Sequence, residues 1–325
     1  MSRIVVTGAS GFVGRALCFA LREAGHSVTG IVRRRGTCIE GIDEFVDTST
    51  DFAGLADAAS LGSPGEKLDC VVHLAARVHV MRESITDPEA AFQATNVTGA
   101  LHVAQAAWRT GARRFVFVSS VKALAERDSG RPLRESDLPD PQDAYGRSKL
   151  AAEQALMRYG SETGLDVVIV RPPLVYGPEV RGNFLRLLDA VAAGLPIPLG
   201  AADARRSLVY VDNLADALLR CATDPRAAHQ CFHVADADDL TVQELTRAIG
   251  RHLRKPARLL PLPIAWLRIA GRLTARSSTI DRLISSLQLD TSRLHDVLDW
   301  YPPYSTEDGL EMTARWYRER RSKSP

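Results

Sequence analysis

The sequence predicts an α/β fold, built on a doubly wound parallel sheet and completed by a smaller C-terminal lobe. Five short β-branched runs lie in the first half of the chain, at residues 3–8, 27–32, 69–76, 114–120 and 166–172. Longer segments with helical periodicity lie between them, at residues 14–25, 90–111 and 144–160. Strands that are apolar along their length are typical of a parallel sheet covered on both faces. The alternation of strands and helices indicates a doubly wound arrangement.

Glycines and prolines mark the predicted boundaries. Gly25, Gly111 and Gly160 follow the periodic part of the three helical segments and predict where those helices end. After residue 171 the prolines become frequent and the elements shorter. We therefore predict a first domain over residues 1–170 and a mainly substrate-binding lobe over residues 171–325. A strand-and-helix pattern within residues 203–230 predicts that the chain returns there to the first domain.

The composition argues against several classes of function. A formal net charge of +2 over 325 residues does not predict capture of nucleic acid. The five cysteines lack the spacing of metal ligands, so we predict no metal site and a reducing, cytoplasmic compartment. No apolar run reaches the length of a membrane span.

The first strand leads into a glycine-rich turn, "TGASGFVG", at residues 7–14. Small residues allow backbone N–H groups to approach a pyrophosphate, and a helix N-terminus favours its negative charge. The context of strand, glycine turn and helix predicts a Rossmann-like site for NAD or NADP. The residues of this turn that we assign to the cofactor are Gly8, Gly11, Phe12, Val13 and Gly14.

The second strand is followed by three arginines, Arg33, Arg34 and Arg35. A site for NAD commonly places a carboxylate here, on the adenosine ribose. Guanidinium groups instead suit the 2′-phosphate of NADP. The sequence thus favours NADP over NAD, and the alternative is a solvated charge run at a strand end.

The predicted third helix carries Tyr145 and Lys149, which are neighbours on one helical face because they are four residues apart. A nearby ammonium lowers the pKa of a phenol, so this tyrosine is a candidate for proton transfer at a carbonyl or carbinol oxygen. Ser119 and Ser120 follow a predicted parallel strand, at the sheet edge where ligands bind in such folds. They supply a second donor to the same oxygen.

Several motifs occur together in a fixed order. They are T-G-x-x-G-F-x-G from Thr7, H-L-A-A from His73, N-V-x-G from Asn96, S-S at Ser119, Y-x-x-x-K at Tyr145 and R-P-x-x-V-Y-G-P from Arg171. The chain resembles the extended short-chain dehydrogenase/reductase family, in particular its nucleotide-sugar epimerases, dehydratases and reductases.

The resemblance implies roles for individual residues. Tyr145 would be the acid/base, Lys149 would lower its pKa and hold the ribose, and Ser120 would share the substrate oxygen, with Ser119 as the alternative. Asn96 would be mainly structural. Further cofactor contacts would be Asp47, Leu74, Ala75, Ala76 and Pro172. Asn183 and Arg206 would touch the nucleotide of a UDP-sugar.

One position departs from the motifs of the UDP-galactose epimerases, which often have Thr two residues after the serine, where this chain has Lys122. The acidic pair typical of the dehydratases is also missing there, because Val121 and Lys122 follow the serine. The "SSVK" and "ARVHVM" stretches look most like reductases of 4-keto-6-deoxy nucleotide sugars in surface-polysaccharide synthesis. Lys122 is either a substrate contact or a surface lysine.

We therefore expect an NAD(P)-dependent oxidoreductase that acts at C4 of a UDP-sugar, reducing a 4-keto-6-deoxyhexose of the 2-acetamido type. A UDP-hexose 4-epimerase with retained NAD is the second hypothesis, and a reductase of a non-sugar ketone is the third. A cofactor-binding sensor or scaffold without chemistry is the alternative of another class.

The family resemblance also implies a homodimer held by a four-helix bundle. The two helical segments that contain residues 90–108 and 145–160 would supply it, with Leu150 and Leu156 on the interface. Burial of these leucines inside one subunit would explain the same apolar pattern.

Overall fold

A parallel sheet of seven strands forms the centre of the protein. The structure is a computed structural model that describes residues 1–56, 61, 67–78, 87–273, 281 and 284–322. The strands of the sheet are β1 (Arg3–Thr7), β2 (Ser27–Val32), β3 (Asp43–Val46), β4 (Cys70–His73), β5 (Arg114–Val118), β6 (Asp166–Arg171) and β10 (Cys231–His233). Their order is β10-β6-β5-β4-β1-β2-β3, and every pairing is parallel. The predicted fold class is confirmed.

Helices cover both faces of this sheet. They are α1 (Phe12–Glu23), α2 (Ala53–Ala56), α3 (Pro88–Phe92), α4 (Gly99–Arg109), α5 (Ala144–Thr163) and α7 (Val211–Thr223). A π-helical segment, Gln93–Thr98, joins α3 to α4. One core lies between the sheet and the pair α1 and α7, and a second lies between the sheet and the group α2, α4 and α5.

A third core belongs to the C-terminal lobe. Its region contains β7 (Leu174–Tyr176), α6 (Gly182–Ala192), β8 (Arg205–Arg206), β9 (Leu208–Tyr210), β11 (Leu240–Thr241), α8 (Val242–His252), α9 (Ile264–Leu273), α10 (Ser292–Leu298) and α11 (Thr306–Ser322). β7 pairs with β9, and β8 pairs with β11. Helix α7 packs against α1, and β10 extends the main sheet, so this half of the chain contributes to both regions. The division at residue 171 remains a prediction.

The five strands predicted for the first half of the chain are present, and two further strands of the seven-stranded sheet were missed. β3 lies at one edge of the sheet, where Asp43 and Glu44 interrupt the apolar pattern. β10 lies at the other edge and has only three residues. Short or half-exposed edge strands lack the long apolar run by which the buried strands were recognised.

Two of the three predicted helix ends are confirmed. Gly25 and Gly111 have positive φ angles of 79° and 76°, just past the ends of α1 and α4. The prediction for Gly160 was wrong, because α5 continues to Thr163 and ends at Gly164, where φ is +77°. A Cβ on Gly160 would come within 2.8 Å of the Leu165 carbonyl oxygen, so glycine is needed there for packing.

Among the residues that the structure describes, no helix is both long enough and apolar enough to span a membrane.

Candidate functional site

In the glycine turn, backbone segments approach each other so closely that they leave no room for a side chain. We call this turn the glycine cradle. Gly8 has a φ of +68°, and a Cβ there would lie 3.1 Å from the backbone nitrogen of Ala75. A Cβ on Gly14 would lie only 2.1 Å from the Gly8 carbonyl oxygen. The Gly11 N–H donates to that same oxygen at 2.9 Å, and Gly11 is the N-cap of α1. The start of α1 is thus held against the end of β1, as phosphate binding at a helix N-terminus requires.

Phe12 and Val13 were predicted to contact the cofactor together with the glycines. The structure shows them half-buried and packed against the core of the C-terminal lobe. Their contact with the cofactor stays a prediction.

A threonine at the end of β1 holds the segment after β4 beside the glycine turn. The Thr7 hydroxyl lies 2.8 Å from His73 Nδ1 and accepts the backbone N–H groups of Leu74 and Ala75, both at 3.2 Å. Burial lowers the pKa of His73 to about 3, so the imidazole is neutral at this position. The backbone past β4, with Leu74, Ala75 and Ala76, is therefore fixed where a dinucleotide would pass.

The side chain of Asn96 binds the backbone of Arg77, in the same segment after β4. Its Oδ1 accepts the Arg77 N–H at 2.8 Å, and its Nδ2 donates to the Arg77 carbonyl oxygen at 3.1 Å. Nδ2 also lies 2.9 Å from the hydroxyl of Ser148 on α5. Asn96 is buried, so it ties the segment after β4 to α5, in keeping with the mainly structural role implied for it. The "ARVHVM" stretch, residues 76–81, runs from Ala76 past the end of the described residues at position 78.

The arginines lie directly after β2, on the side of the glycine turn. Arg33, Arg34 and Arg35 are exposed. The nearby carboxylate of Glu44 accepts the backbone N–H groups of residues 36–38 and so holds the loop after the arginines.

Two buried polar atoms beside the predicted coenzyme path lack partners among the described residues. Asp47 Oδ1 accepts the N–H and the hydroxyl of Ser49, whereas its Oδ2 is buried without a partner in the described part of the chain. The hydroxyl oxygen of Ser119 is also buried without a partner there. Buried polar groups normally find partners, so these two atoms fit a bound ligand with polar edges. Together with the glycine cradle they fit a dinucleotide.

Ser120 follows the end of β5, and Tyr145 lies in the first turn of α5. Ser120 begins the 3₁₀ turn Val121–Ala123, and its Oγ accepts the Lys122 N–H at 3.2 Å. Its hydroxyl acts on the phenol of Tyr145 and lowers the pKa of that phenol. The second serine of the pair, not Ser119, is therefore the one that faces the tyrosine. Pro172 joins this group through its carbonyl oxygen, which accepts the Val121 N–H at 3.0 Å.

The phenol of Tyr145 has a raised pKa in this structure. Burial, together with the charge of Asp143, raises this pKa to about 12, and the hydrogen bond with Ser120 acts in the opposite direction. We expected Lys149 to lower the pKa of Tyr145. The Lys149 ammonium instead donates to the Val118 carbonyl oxygen at 2.7 Å and lies 4.2 Å from the centre of the Phe117 ring.

Lys149 itself is completely enclosed, with 1% of its surface exposed. Burial lowers its pKa to about 7, against the charge of Glu153, which raises it. An ammonium in such a place is costly, because its hydration is replaced by few protein acceptors. A buried lysine whose pKa is lowered to about 7 is a candidate for a functional position.

This burial predicts a stability that depends on pH. The pKa of Lys149 is lower in the folded chain than in the unfolded one, so the unfolded chain binds more protons between pH 7 and about pH 10. Below about pH 7 the buried ammonium destabilises the folded protein in full. This destabilisation is lost as the pH rises towards the pKa that Lys149 has in the unfolded chain. Relative to Lys149→Met, the wild-type free energy of unfolding should therefore rise by about 1–2 kcal/mol from pH 7.5 to pH 9.

Urea unfolding of both proteins at the two pH values measures this difference. Lys255→Met, which removes an exposed lysine, is the matched control and should follow the wild-type pH dependence. Parallel curves for wild type and Lys149→Met would show that Lys149 keeps an ordinary pKa in the folded protein.

The structure places the three predicted substrate contacts on separate elements. Lys122 lies in the turn after Ser120, and its ammonium is 2.5 Å from Asp143 Oδ2 and 3.1 Å from Glu126 Oε1. Asn183 is exposed in the first turn of α6. Arg206 lies in β8 and donates to the Ser285 carbonyl oxygen at 2.9 Å. We predicted that Lys122 is either a substrate contact or a surface lysine. The sequence did not reveal that it forms ion pairs with Asp143 and Glu126.

Sequence reasoning also missed Asp143, the N-cap of α5. Its Oδ1 accepts the Gly146 N–H at 2.7 Å and so defines where the helix of Tyr145 begins. The signal was present, because Asp directly before a periodic segment is a strong N-cap candidate. Ser148 was missed as well, since its contact with Asn96 is formed only in the folded chain.

The sequence matches the family model described as "NAD dependent epimerase/dehydratase family" over residues 4–235. The chain belongs to this family. The match contains the glycine turn, both serines and the pair Tyr145 and Lys149, and it confirms the resemblance to extended short-chain dehydrogenases/reductases.

Two curated relatives illustrate the range of the family. The chain is 35% identical over 318 residues to the UDP-glucose 4-epimerase of Vibrio cholerae, covering 96% of this chain and 94% of that protein. It is 27% identical over 319 residues to the GDP-6-deoxy-D-mannose reductase of Pseudomonas aeruginosa, covering 95% of this chain and 94% of that protein. The expectation of an NAD(P)-dependent enzyme is thereby confirmed.

A solved structure supports the fold independently. The UDP-glucose 4-epimerase of Thermotoga maritima, determined with UDP-glucose, superposes with a TM-score of 0.78. The superposition covers 98% of this chain and 99% of that one, at 24% sequence identity. At this identity the likeness shows a common fold.

Proposed function

We propose that this protein reduces the C4 ketone of a UDP-linked 4-keto-6-deoxyhexose of the 2-acetamido type, with NADPH, in surface-polysaccharide synthesis. One observation carries the choice of a reductase: the exposed cluster of Arg33, Arg34 and Arg35 lies directly after β2. At that place guanidinium groups favour the 2′-phosphate of NADP. A net reduction consumes its coenzyme and therefore draws on a reducing NADPH pool.

The proposed site divides the reaction between a few side chains. A nicotinamide coenzyme bound along the glycine turn would supply the hydride that C4 receives. The Tyr145 phenol delivers the proton to O4, while the Ser120 hydroxyl shares that oxygen and holds the ketone in line. The ketone thus gains one hydride and one proton and becomes an alcohol.

Tyr145 is protonated at neutral pH, because burial and the charge of Asp143 raise its pKa to about 12. The phenol therefore has a proton to give to O4. Lys149 follows Tyr145 by one turn of α5. Its ammonium lies at the end of β5, where it would hold the coenzyme ribose.

A UDP-hexose 4-epimerase is the second candidate. It is supported by the identity of 35% to the Vibrio cholerae UDP-glucose 4-epimerase over 96% of this chain. In an epimerase Tyr145 would accept a proton from O4 in the first half-reaction and return it in the second, and the coenzyme would stay bound.

We further propose a cytoplasmic homodimer. The location is supported by the five cysteines, all of which are free. On the helices α4 and α5, Trp108 and Met157 are exposed and offer apolar surface to a second copy. Of the two explanations given for the leucines, burial within one subunit holds for Leu156, which is fully buried in the core of its own subunit, and Leu150 is half-buried.

The nucleotide content of the purified protein separates the two candidate functions. We expect the protein to be free of stoichiometric nucleotide after denaturation, and to reduce a UDP-4-keto-6-deoxyhexose with NADPH. Stoichiometric NAD together with interconversion of UDP-glucose and UDP-galactose would replace the reductase by the epimerase.

The arginines provide the sharper prediction. The double variant Arg33→Ala, Arg34→Ala should weaken NADPH binding by about 10–100-fold and leave NADH binding within a fewfold, because charge-assisted hydrogen bonds to the phosphate are lost. Fluorescence titration with both coenzymes measures this. The variant Arg158→Ala, which removes an exposed arginine near the far end of α5, is the control. Equal losses for the two coenzymes would refute the phosphate contact.

A further inference from the structure

Lys122 lies close to Ser120 in the chain and pairs with Asp143, the residue that caps the helix of Tyr145. It lies in the 3₁₀ turn Val121–Ala123, two residues after Ser120. Its ammonium contacts two carboxylates, Asp143 at 2.5 Å and Glu126 at 3.1 Å, and its side chain is 31% exposed. The pair with Asp143 joins this turn to the start of α5, across 21 residues of sequence.

The turn and the helix are also packed tightly through their backbones. Gly146 is the third residue of α5, and a Cβ there would come within 2.4 Å of the Lys122 carbonyl oxygen. Only glycine leaves room for that oxygen. The turn is therefore seated directly on the first turn of the helix that carries Tyr145, and the two cannot shift independently.

Lys122 contacts Ser120 through its backbone and Asp143 through its ammonium. Its backbone N–H donates to Ser120 Oγ at 3.2 Å and so orients that hydroxyl. Its ammonium offsets the charge of Asp143, which caps the helix through Gly146 and lies two residues before Tyr145.

We propose that Lys122 is a positioning residue that acts through Asp143: it neutralises this carboxylate beside Tyr145 and thereby favours ionisation of the phenol. The inference rests on the proposed function, in which Tyr145 exchanges a proton with O4. It replaces the predicted substrate contact of Lys122 by an indirect role.

The charged side chains near Tyr145 in the sequence are Asp143, the N-cap of α5, and Arg147 and Lys149 on α5. Lys122, Glu126 and Glu89 are linked to this group through ion pairs. Arg147 is paired with Glu89, and Lys149 donates to the Val118 carbonyl oxygen. After burial, the charge of Asp143 is the next cause that raises the pKa of Tyr145, and Lys122 is its direct partner.

The test is the pH dependence of kcat/KM in the direction of alcohol oxidation, where Tyr145 must be ionised. Lys122→Met should move the midpoint of this profile up by about half to one pH unit, because the charge of Asp143 is no longer offset. Lys122→Arg should keep the wild-type midpoint. Arg315→Met, which breaks an exposed pair with Glu311 on α11, is the control and should also keep it.

A double-mutant cycle shows whether the effect passes through Asp143. Asp143→Asn preserves a good N-cap residue and should lower the midpoint. In that background, Lys122→Met should cause no further shift. An unchanged midpoint in Lys122→Met alone, or an equal shift with and without Asp143, would overturn the proposal.

A failure of the proposed function can be told apart from a failure of the role proposed for Lys122. If the wild type converts no UDP-sugar, the reaction is wrong, and the role of Lys122 is then judged by ultraviolet titration of the phenol in the complex with NADP⁺. The same shift between wild type and Lys122→Met is expected there, with Tyr145→Phe as the blank. Identical titrations would overturn the role of Lys122.

Discussion

Replacing Tyr145 by Phe should lower kcat/KM by about 10²–10⁴-fold, the range expected for loss of a positioned proton donor. The substitution removes one hydroxyl and keeps the ring, which packs near Phe92 with 6.2 Å between the ring centres. Steady-state kinetics with a UDP-4-keto sugar and coenzyme titration measure the effects on turnover and on binding. Coenzyme affinity should stay within a fewfold of the wild type, because the hydroxyl is assigned to the substrate.

The matched control is Tyr159→Phe. Tyr159 lies on the same helix and packs beside the second core, away from Ser120. This variant should keep wild-type activity. Turnover that survives Tyr145→Phe would refute the proposed proton transfer, and absence of turnover in the wild type itself would show that the proposed substrate is wrong.

A buried ion pair between α5 and β6 should have a large effect on stability. Glu153 on α5 and Arg171 at the end of β6 form a bidentate pair, at 3.0 Å from Nε to Oε1 and 2.6 Å from Nη2 to Oε2. Both side chains are nearly enclosed, with exposures of 5% and 8%. Glu153→Gln leaves a buried guanidinium without its counter-charge. We expect the free energy of unfolding to fall by about 3–5 kcal/mol.

Urea unfolding at neutral pH measures this loss. Glu311→Gln, which breaks the exposed pair with Arg315, should cost at most about 0.5 kcal/mol. The double variant Glu153→Leu, Arg171→Met removes both charges and should recover much of the stability lost in Glu153→Gln. A loss below about 1 kcal/mol for Glu153→Gln would mean that water reaches the guanidinium after the substitution.

Local features of the sequence were enough to predict the fold class, and they also single out the residues of the candidate site. Buried parallel strands carry apolar residues along their whole length, and the glycine turn has a steric requirement that is local to residues 7–14. Tyr145 and Lys149 are close because helical spacing alone makes them neighbours. Such features depend on a few consecutive residues, so they are visible before the chain is folded.

Contacts between distant segments set the features that the sequence did not reveal. The ends of the sheet, the place of Gly160 inside α5 and the burial of Leu156 follow from packing between elements. Lys122 finds Asp143 only when the turn after β5 meets the start of α5. The direction of the Lys149 ammonium depends on the Val118 carbonyl, 31 residues away. Spacing within a segment predicts neighbours, whereas the pKa and the partner of a charged group depend on burial and on contacts between segments.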